Sequence, residues 1–234
     1  MSKTRPDPPT TRKFRTTVLV FASVLGVIAI WILVAECLRP TIELTTDAKY
    51  AASICARRDA ALEAARVGIV RGDLWSDVAV AYGCMLWTQD GNASGPDVTS
   101  FENTQAATEL AISLAPHDSR LWLLLAANYF RFNWLDERAT AALKMSYYTG
   151  LNTIAILPER LFLAAQSPAL KDEDFQELVR HDVHVTLDHR SELMPALVAA
   201  YRSAPLVGRQ FLEKSLTELD PSAVATVRSE VESR

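Results

Sequence analysis

From Thr16 to Ala35 the chain runs for 20 residues without a charged side chain, and Val, Leu, Ile, Phe and Ala dominate the run. At roughly 1.5 Å of rise per residue, a helix over it reaches about 30 Å, the thickness of a bilayer's hydrocarbon core. Residues 16–38 are therefore expected to form a transmembrane helix, with Trp31 near the far end, where aromatic rings meet the interface. Arg39 followed by Pro40 stops that helix, and residues 39–46 read as a linker. From Asp47 onward the apolar positions recur at helical spacing, and Val, Ile and Thr never gather in alternating runs bounded by turns. The pattern predicts helices near 47–70, 73–88, 103–115, 119–132, 134–149, 156–166, 171–188, 191–204, 206–219 and 221–232. A polar loop lies between Asp90 and Asp97. Asp118 or Ser119 caps the helix that carries Trp122, Pro158 fits a first helical turn, and Asp220 with Pro221 forms a cap and a first-turn proline.

Two of these helices carry the same stripe. Trp75, Val78, Ala79 and Tyr82 share their offsets with Trp122, Leu125, Ala126 and Tyr129: an aliphatic residue three on, Ala four on, Tyr seven on. On a helix those positions share one face. A large aromatic starts the stripe, and the Ala lets a neighbouring backbone come close. Pro116 precedes Trp122 by six residues, and Ala111 precedes Pro116 by five.

This stripe resembles the tetratricopeptide repeat, a helix–turn–helix module of about 34 residues with Trp, Leu-Gly and Tyr on its first helix and a small residue and Pro closing its second. The two Trp residues are 47 positions apart, about 13 more than that period, and the loop near 90–102 absorbs the excess. The clearest units are then 73–116 and 119–150, with a degenerate one at 190–221 and no match over 151–189. Ala79 and Ala126 replace the usual Gly, and Gly150 stands where Pro is usual. The resemblance implies an all-α fold, a solenoid of antiparallel helix pairs over 47–234, that binds a protein or peptide in a concave groove. It implies that Trp75, Val78, Ala79, Tyr82, Ala111, Pro116, Trp122, Leu125, Ala126 and Tyr129 are packing positions. Partner contacts come from other positions of the first helices, here Asn128 and Arg131.

Charge sets orientation and excludes one class of partner. Lys3, Arg5, Arg12, Lys13 and Arg15 precede the apolar run against the single acid Asp7, which keeps the N-terminus in the cytoplasm. Residues 1–15 read as a disordered basic tail on anionic lipid. Five of the 24 basic and one of the 28 acidic residues precede Glu36, leaving 19 against 27 beyond it, a net charge of −8. Such a domain is repelled by phosphate backbones, so nucleic acid is not an expected partner. The apolar run exceeds the segment of about 7–15 residues in a secretory signal, and no Ala-x-Ala site follows it. Glu36 stands where a lipoprotein box needs a small residue before Cys37. The expectation is an uncleaved single-pass anchor in a bacterial inner membrane with a periplasmic domain.

Candidate chemistry is sparse. His181 and His184 share a helix face near Glu177, Asp182 and Asp188, a weak zinc-site pattern without a His-Glu-x-x-His signature; a solvated helix end is the alternative. Cys55 and Cys84 can pair in an oxidising compartment, or be buried as small apolar residues. Asn92, Ala93 and Ser94 form a glycosylation acceptor. No nucleophile elbow, P-loop or dinucleotide-binding turn occurs, and no cofactor is expected. The functional expectation is a non-catalytic scaffold or adaptor of a cell-envelope assembly or export complex. The alternative is an accessory subunit or enzyme of envelope biogenesis with a metal-binding helical domain.

Overall fold

The computed structural model describes residues 9–42, 48–84, 86, 98–133 and 135–232. Among them every regular element is helical: α1 (Pro9–Leu38), α2 (Ala48–Ala56), α3 (Arg58–Gly68), α4 (Gly72–Tyr82), α5 (Val98–Leu114), α6 (Ser119–Phe132), α7 (Glu137–Gly150), α8 (Leu157–Gln166), α9 (Glu173–Asp188), α10 (Arg190–Ser203), α11 (Leu206–Leu219) and α12 (Pro221–Glu232). Short 3₁₀ turns at Ile154–Ile156 and Pro168–Lys171 precede α8 and α9. The loop at 90–97, with its glycosylation acceptor, lies outside the described residues, as does 43–47 of the linker region.

Lys13–Leu38 of α1 is long and apolar enough to cross a membrane. The helix starts earlier than expected, so residues 9–15 of the basic tail are helical rather than disordered. Its far end is not a loose tether. Trp31 Nε1 donates to Val67 O at 2.6 Å, and Ala35 is fully buried. Arg71 Nη2 pairs with Glu36 at 2.8 Å and with Asp73 at 2.6 Å. Arg39 reaches Asp77 at 2.6 Å and Asp73 at 3.0 Å. The hydrogen bond from Arg71 holds the Asp73 carboxyl below its usual range, whereas burial pushes Asp77 up against the pull of Arg39. These contacts dock the end of α1 on α3 and α4.

The expected helix over 47–70 is two helices. Arg57 takes φ −91° and ψ 1°, outside the helical basin, and the chain turns there. The expected helix over 73–88 stops at Tyr82, where Gly83 closes it by donating to Ala79 O. Cys84 then bonds Cys55, with Cα atoms 5.6 Å apart. Closing a loop of 29 residues is worth about 3–4 kcal/mol in the chain-entropy view. The helix expected from 134 begins at Glu137, capped by the Asp136 carboxylate, which accepts from Arg138 N.

α4 packs on α5 and α6 on α7 as neighbouring pairs, whereas in the second half the main contact is α8 on α10, with α9 and α11 packed more lightly around them. α4 also meets α6, α6 meets α8, and α10 meets α12. Residues 151–189, where the sequence shows no repeat, contain α8 and α9. α6 is the seam of the core. Leu121 and Leu124 face the cluster built with α3 and α4, while Leu123, Ala126, Ala127 and Phe130 face the cluster that extends to α12. A helix apolar on all sides is stable only when surrounded, which explains why α6 sits in the middle.

Two glycines mark close approaches. A Cβ at Gly150 would meet Ser119 Oγ at 2.3 Å, which explains a glycine where the repeat pattern has proline. A Cβ at Gly208 would stand 1.9 Å from Ala165 O, so α11 crosses the end of α8 backbone to backbone. Gly208→Ala is expected to destabilise the full chain by about 1–3 kcal/mol through overpacking. Gly26→Ala, with nothing within 4 Å, is expected to be neutral. Denaturation of both variants in detergent checks this; equal stability contradicts the close crossing.

Candidate functional site

α8 and α10 pack along their lengths and leave an open groove of 420 Å³ between them. Pro158 and Phe162, four apart on α8, line one wall, and Pro195, Ala196 and Ala199 of α10 line the other. Pro195 is internal to α10 and cannot donate to Ser191 O, so the groove edge keeps a backbone acceptor free of that bond. Glu192 and Arg202 flank the groove. Ten residues apart on one helix, they are separated by about 15 Å along its axis. The groove lining is mixed: Pro, Phe and Ala side chains with an acid toward one end and a base toward the other.

The opposite side of α8 is fixed by an ion pair from which water is excluded. Arg160 and Asp182 both have fully buried side chains. Arg160 Nε donates to Asp182 Oδ2 at 2.9 Å and Nη2 to Oδ1 at 2.7 Å. The remaining donors reach Gly150 O at 2.7 Å and Leu151 O at 3.0 Å, so the guanidinium also caps the end of α7. Its plane lies 4.3 Å from the centre of the Tyr147 ring. Burial pushes the Asp182 carboxyl upward while Arg160 opposes the shift, and burial drives the Tyr147 phenol well above its ordinary value. Breaking such a pair by removing one partner costs about 3–5 kcal/mol.

The repeat and partner-contact residues singled out by the sequence have definite places. Asn128 is 1% exposed and its Nδ2 donates to Phe101 O at 3.2 Å. It therefore is not a surface contact: α6 is buried on that side, and the amide satisfies a carbonyl on α5. Arg131 is exposed on the last turn of α6, away from the groove residues in sequence and not among those lining it. Val78, Ala79, Ala111, Leu125, Ala126 and Tyr129 are buried. Trp75 and Trp122, both half-buried, make the same bond: Nε1 of Trp75 donates to Ile69 O and Nε1 of Trp122 to Pro116 O, each six residues back and each at 2.8 Å. Guanidinium groups lie against both tyrosines of the stripe, Arg58 over Tyr82 and Arg138 over Tyr129.

The histidines do not converge. His181 Nε2 is 3.1 Å from Asn152 Oδ1, and His184 Nδ1 is 3.2 Å from Asp188. Asp182, the nearest carboxylate in sequence, is turned inward to Arg160. Among the described residues no group of three or more His, Cys, Asp or Glu side chains is placed to hold a metal ion.

Glu159 stands between the groove wall and the buried arginine. It is 4% exposed, and its Oε2 has no hydrogen-bond partner among the described residues. Burial raises its carboxyl pKa, with its own backbone N–H pulling the other way. The folded state therefore favours the protonated form, and the native chain loses stability as pH rises through the folded pKa. Glu159→Gln is expected to be more stable than the native chain at pH 7 by roughly 1–3 kcal/mol. The gain should vanish below the ordinary glutamate pKa of about 4.3. Thermal unfolding across that range checks it; a pH-independent difference contradicts the buried-charge account.

Comparison of the chain with protein-family models, curated proteins and solved structures finds no match.

Proposed function

We propose that this chain is a single-pass bacterial inner-membrane protein whose periplasmic helical domain is a non-catalytic scaffold. It takes a protein or peptide partner of a cell-envelope assembly or export complex. The α8–α10 groove carries the reading. A groove about 15 Å long, lined by Pro, Phe and Ala side chains together with Glu192 and Arg202, suits a short segment with an apolar centre and opposite charges toward its ends.

Three further observations support it. Basic residues precede the apolar stretch of α1, which favours a cytoplasmic N-terminus. The Cys55–Cys84 bond suits an oxidising compartment beyond the membrane. The Trp75 and Trp122 bonds repeat within successive helix pairs, and each first helix touches the next, which favours a tetratricopeptide-like stack over an irregular bundle. The net charge of −8 beyond residue 35 argues against nucleic acid.

Photo-crosslinking in intact membranes tests the groove. A benzophenone side chain placed at Phe162 or Ala199 is expected to give one discrete protein adduct. Gln210, exposed on α11, is expected to give none. Arg202→Glu should remove the adduct by inverting the charge at one end of the groove. Identical adduct patterns at all three positions would overturn this assignment.

A further inference from the structure

We propose that the turn between α3 and α4, led by Ile69 and Val70, is embedded in the outer boundary of the same bilayer that α1 crosses, so that the domain sits on the membrane by a second, monotopic contact. This rests on reading α1 as a membrane-spanning helix.

Three contacts set the depth of the turn against α1. Arg39 meets Asp73 and Asp77, Glu36 meets Arg71, and Trp31 meets the carbonyl of Val67. Moving toward the membrane along α1 therefore means moving down α4, through Arg71, to the end of α3. Ile69 and Val70 lie in sequence between the residues held at Trp31 and at Glu36. The apolar run ends at Ala35, four residues beyond Trp31, or about 6 Å along the helix. The turn is thus placed at the depth where hydrocarbon gives way to headgroups, with the Glu36–Arg71 pair and the Arg39 cluster just above it.

The side chains fit that depth and not water. Ile69 is 64% exposed and Val70 67%. Ile69 has φ 42°, the only non-glycine residue with positive φ among those described. A β-branched residue is disfavoured there, and a turn in water would be expected to carry Gly or Asn. The repeat supplies an internal comparison. Trp122 binds the carbonyl of Pro116 as Trp75 binds that of Ile69, so Pro116 and His117 are the equivalents of Ile69 and Val70. The same turn, one helix pair further from α1, carries an exposed proline and histidine. The apolar pair appears only in the copy joined to the anchor, which commits the surface to lipid as its occupant.

Spin-label accessibility tests this in the full chain reconstituted in phosphatidylcholine–phosphatidylglycerol nanodiscs. In a Cys37→Ser background that keeps the Cys55–Cys84 bond, nitroxides are attached at Val70→Cys, Val24→Cys and His117→Cys. Collisions with oxygen, which partitions into lipid, are compared with collisions with a water-soluble nickel chelate. The oxygen-to-nickel ratio should be several-fold higher at 70 than at 117, and on the side of the lipid-buried label at 24. If 70 behaves like 117 while 24 stays in lipid, the turn is in water and the proposal falls, with the anchor reading intact. If 24 itself meets the nickel chelate, the spanning reading fails and the proposal with it.

Discussion

A guanidinium removed from water must have every donor answered, and Arg160 is the point at which this domain meets that demand. From α8 it ties together the helices before and after it: Asp182 on α9, and on α7 the Gly150 and Leu151 carbonyls at its end and the face of Tyr147. Desolvation makes the site costly if any partner is missing, so the three helices hold one arrangement. α8 carries the arginine on one side and the groove residues Pro158 and Phe162 on the other. A charge pair that never touches solvent thus fixes the α8 wall of the groove, while direct packing of α8 on α10 sets the other.

Rigidity then passes from helix to helix toward the membrane. α6 belongs to both core clusters, so the α8 end and the α4 end cannot move independently without opening its leucines. α4 in turn holds α1 through Asp73 and Asp77, with the α3–α4 turn adding Arg71 and α3 adding the Val67 carbonyl. The disulfide ties α2 to the end of α4. The groove between α8 and α10 is therefore held at a set distance and angle from the end of α1, rather than on a swinging tether.

Much of this architecture is legible in the chain because helical periodicity and caps are local. Asp118, Asp220 and Pro158 stand where the sequence reading puts them, and the paired Trp stripes mark two helices that make the same bond. What escapes is what depends on a distant partner. Asn128 looks like a surface amide because its face of α6 is covered only once α5 packs on it. Arg160 lies among Leu157, Leu161 and Ala164, and Asp182 among Val179, Val183 and Thr186, each at a buried stripe position. Two opposite charges at apolar positions of adjacent helices were the available signal. The neighbouring histidines carry no such signal, and Asp182 beside them faces inward. The break at Arg57 has no Gly or Pro to announce it, and the groove arises from α8 and α10, which α9 separates in sequence.

The groove-bearing domain is held in one orientation on α1, the helix long and apolar enough to cross a membrane. The distance between nitroxides at native Cys37 and at Val207→Cys, measured by pulsed dipolar spectroscopy in nanodiscs, tests it most directly. Cys37 is exposed on α1 and Val207 is exposed on α11, so both accept a label without disturbing the core. The account predicts a single narrow distance distribution, broadened when Arg39→Ala and Trp31→Ala release the docked end of α1. A broad distribution in the otherwise native chain, unchanged by those substitutions, would contradict it.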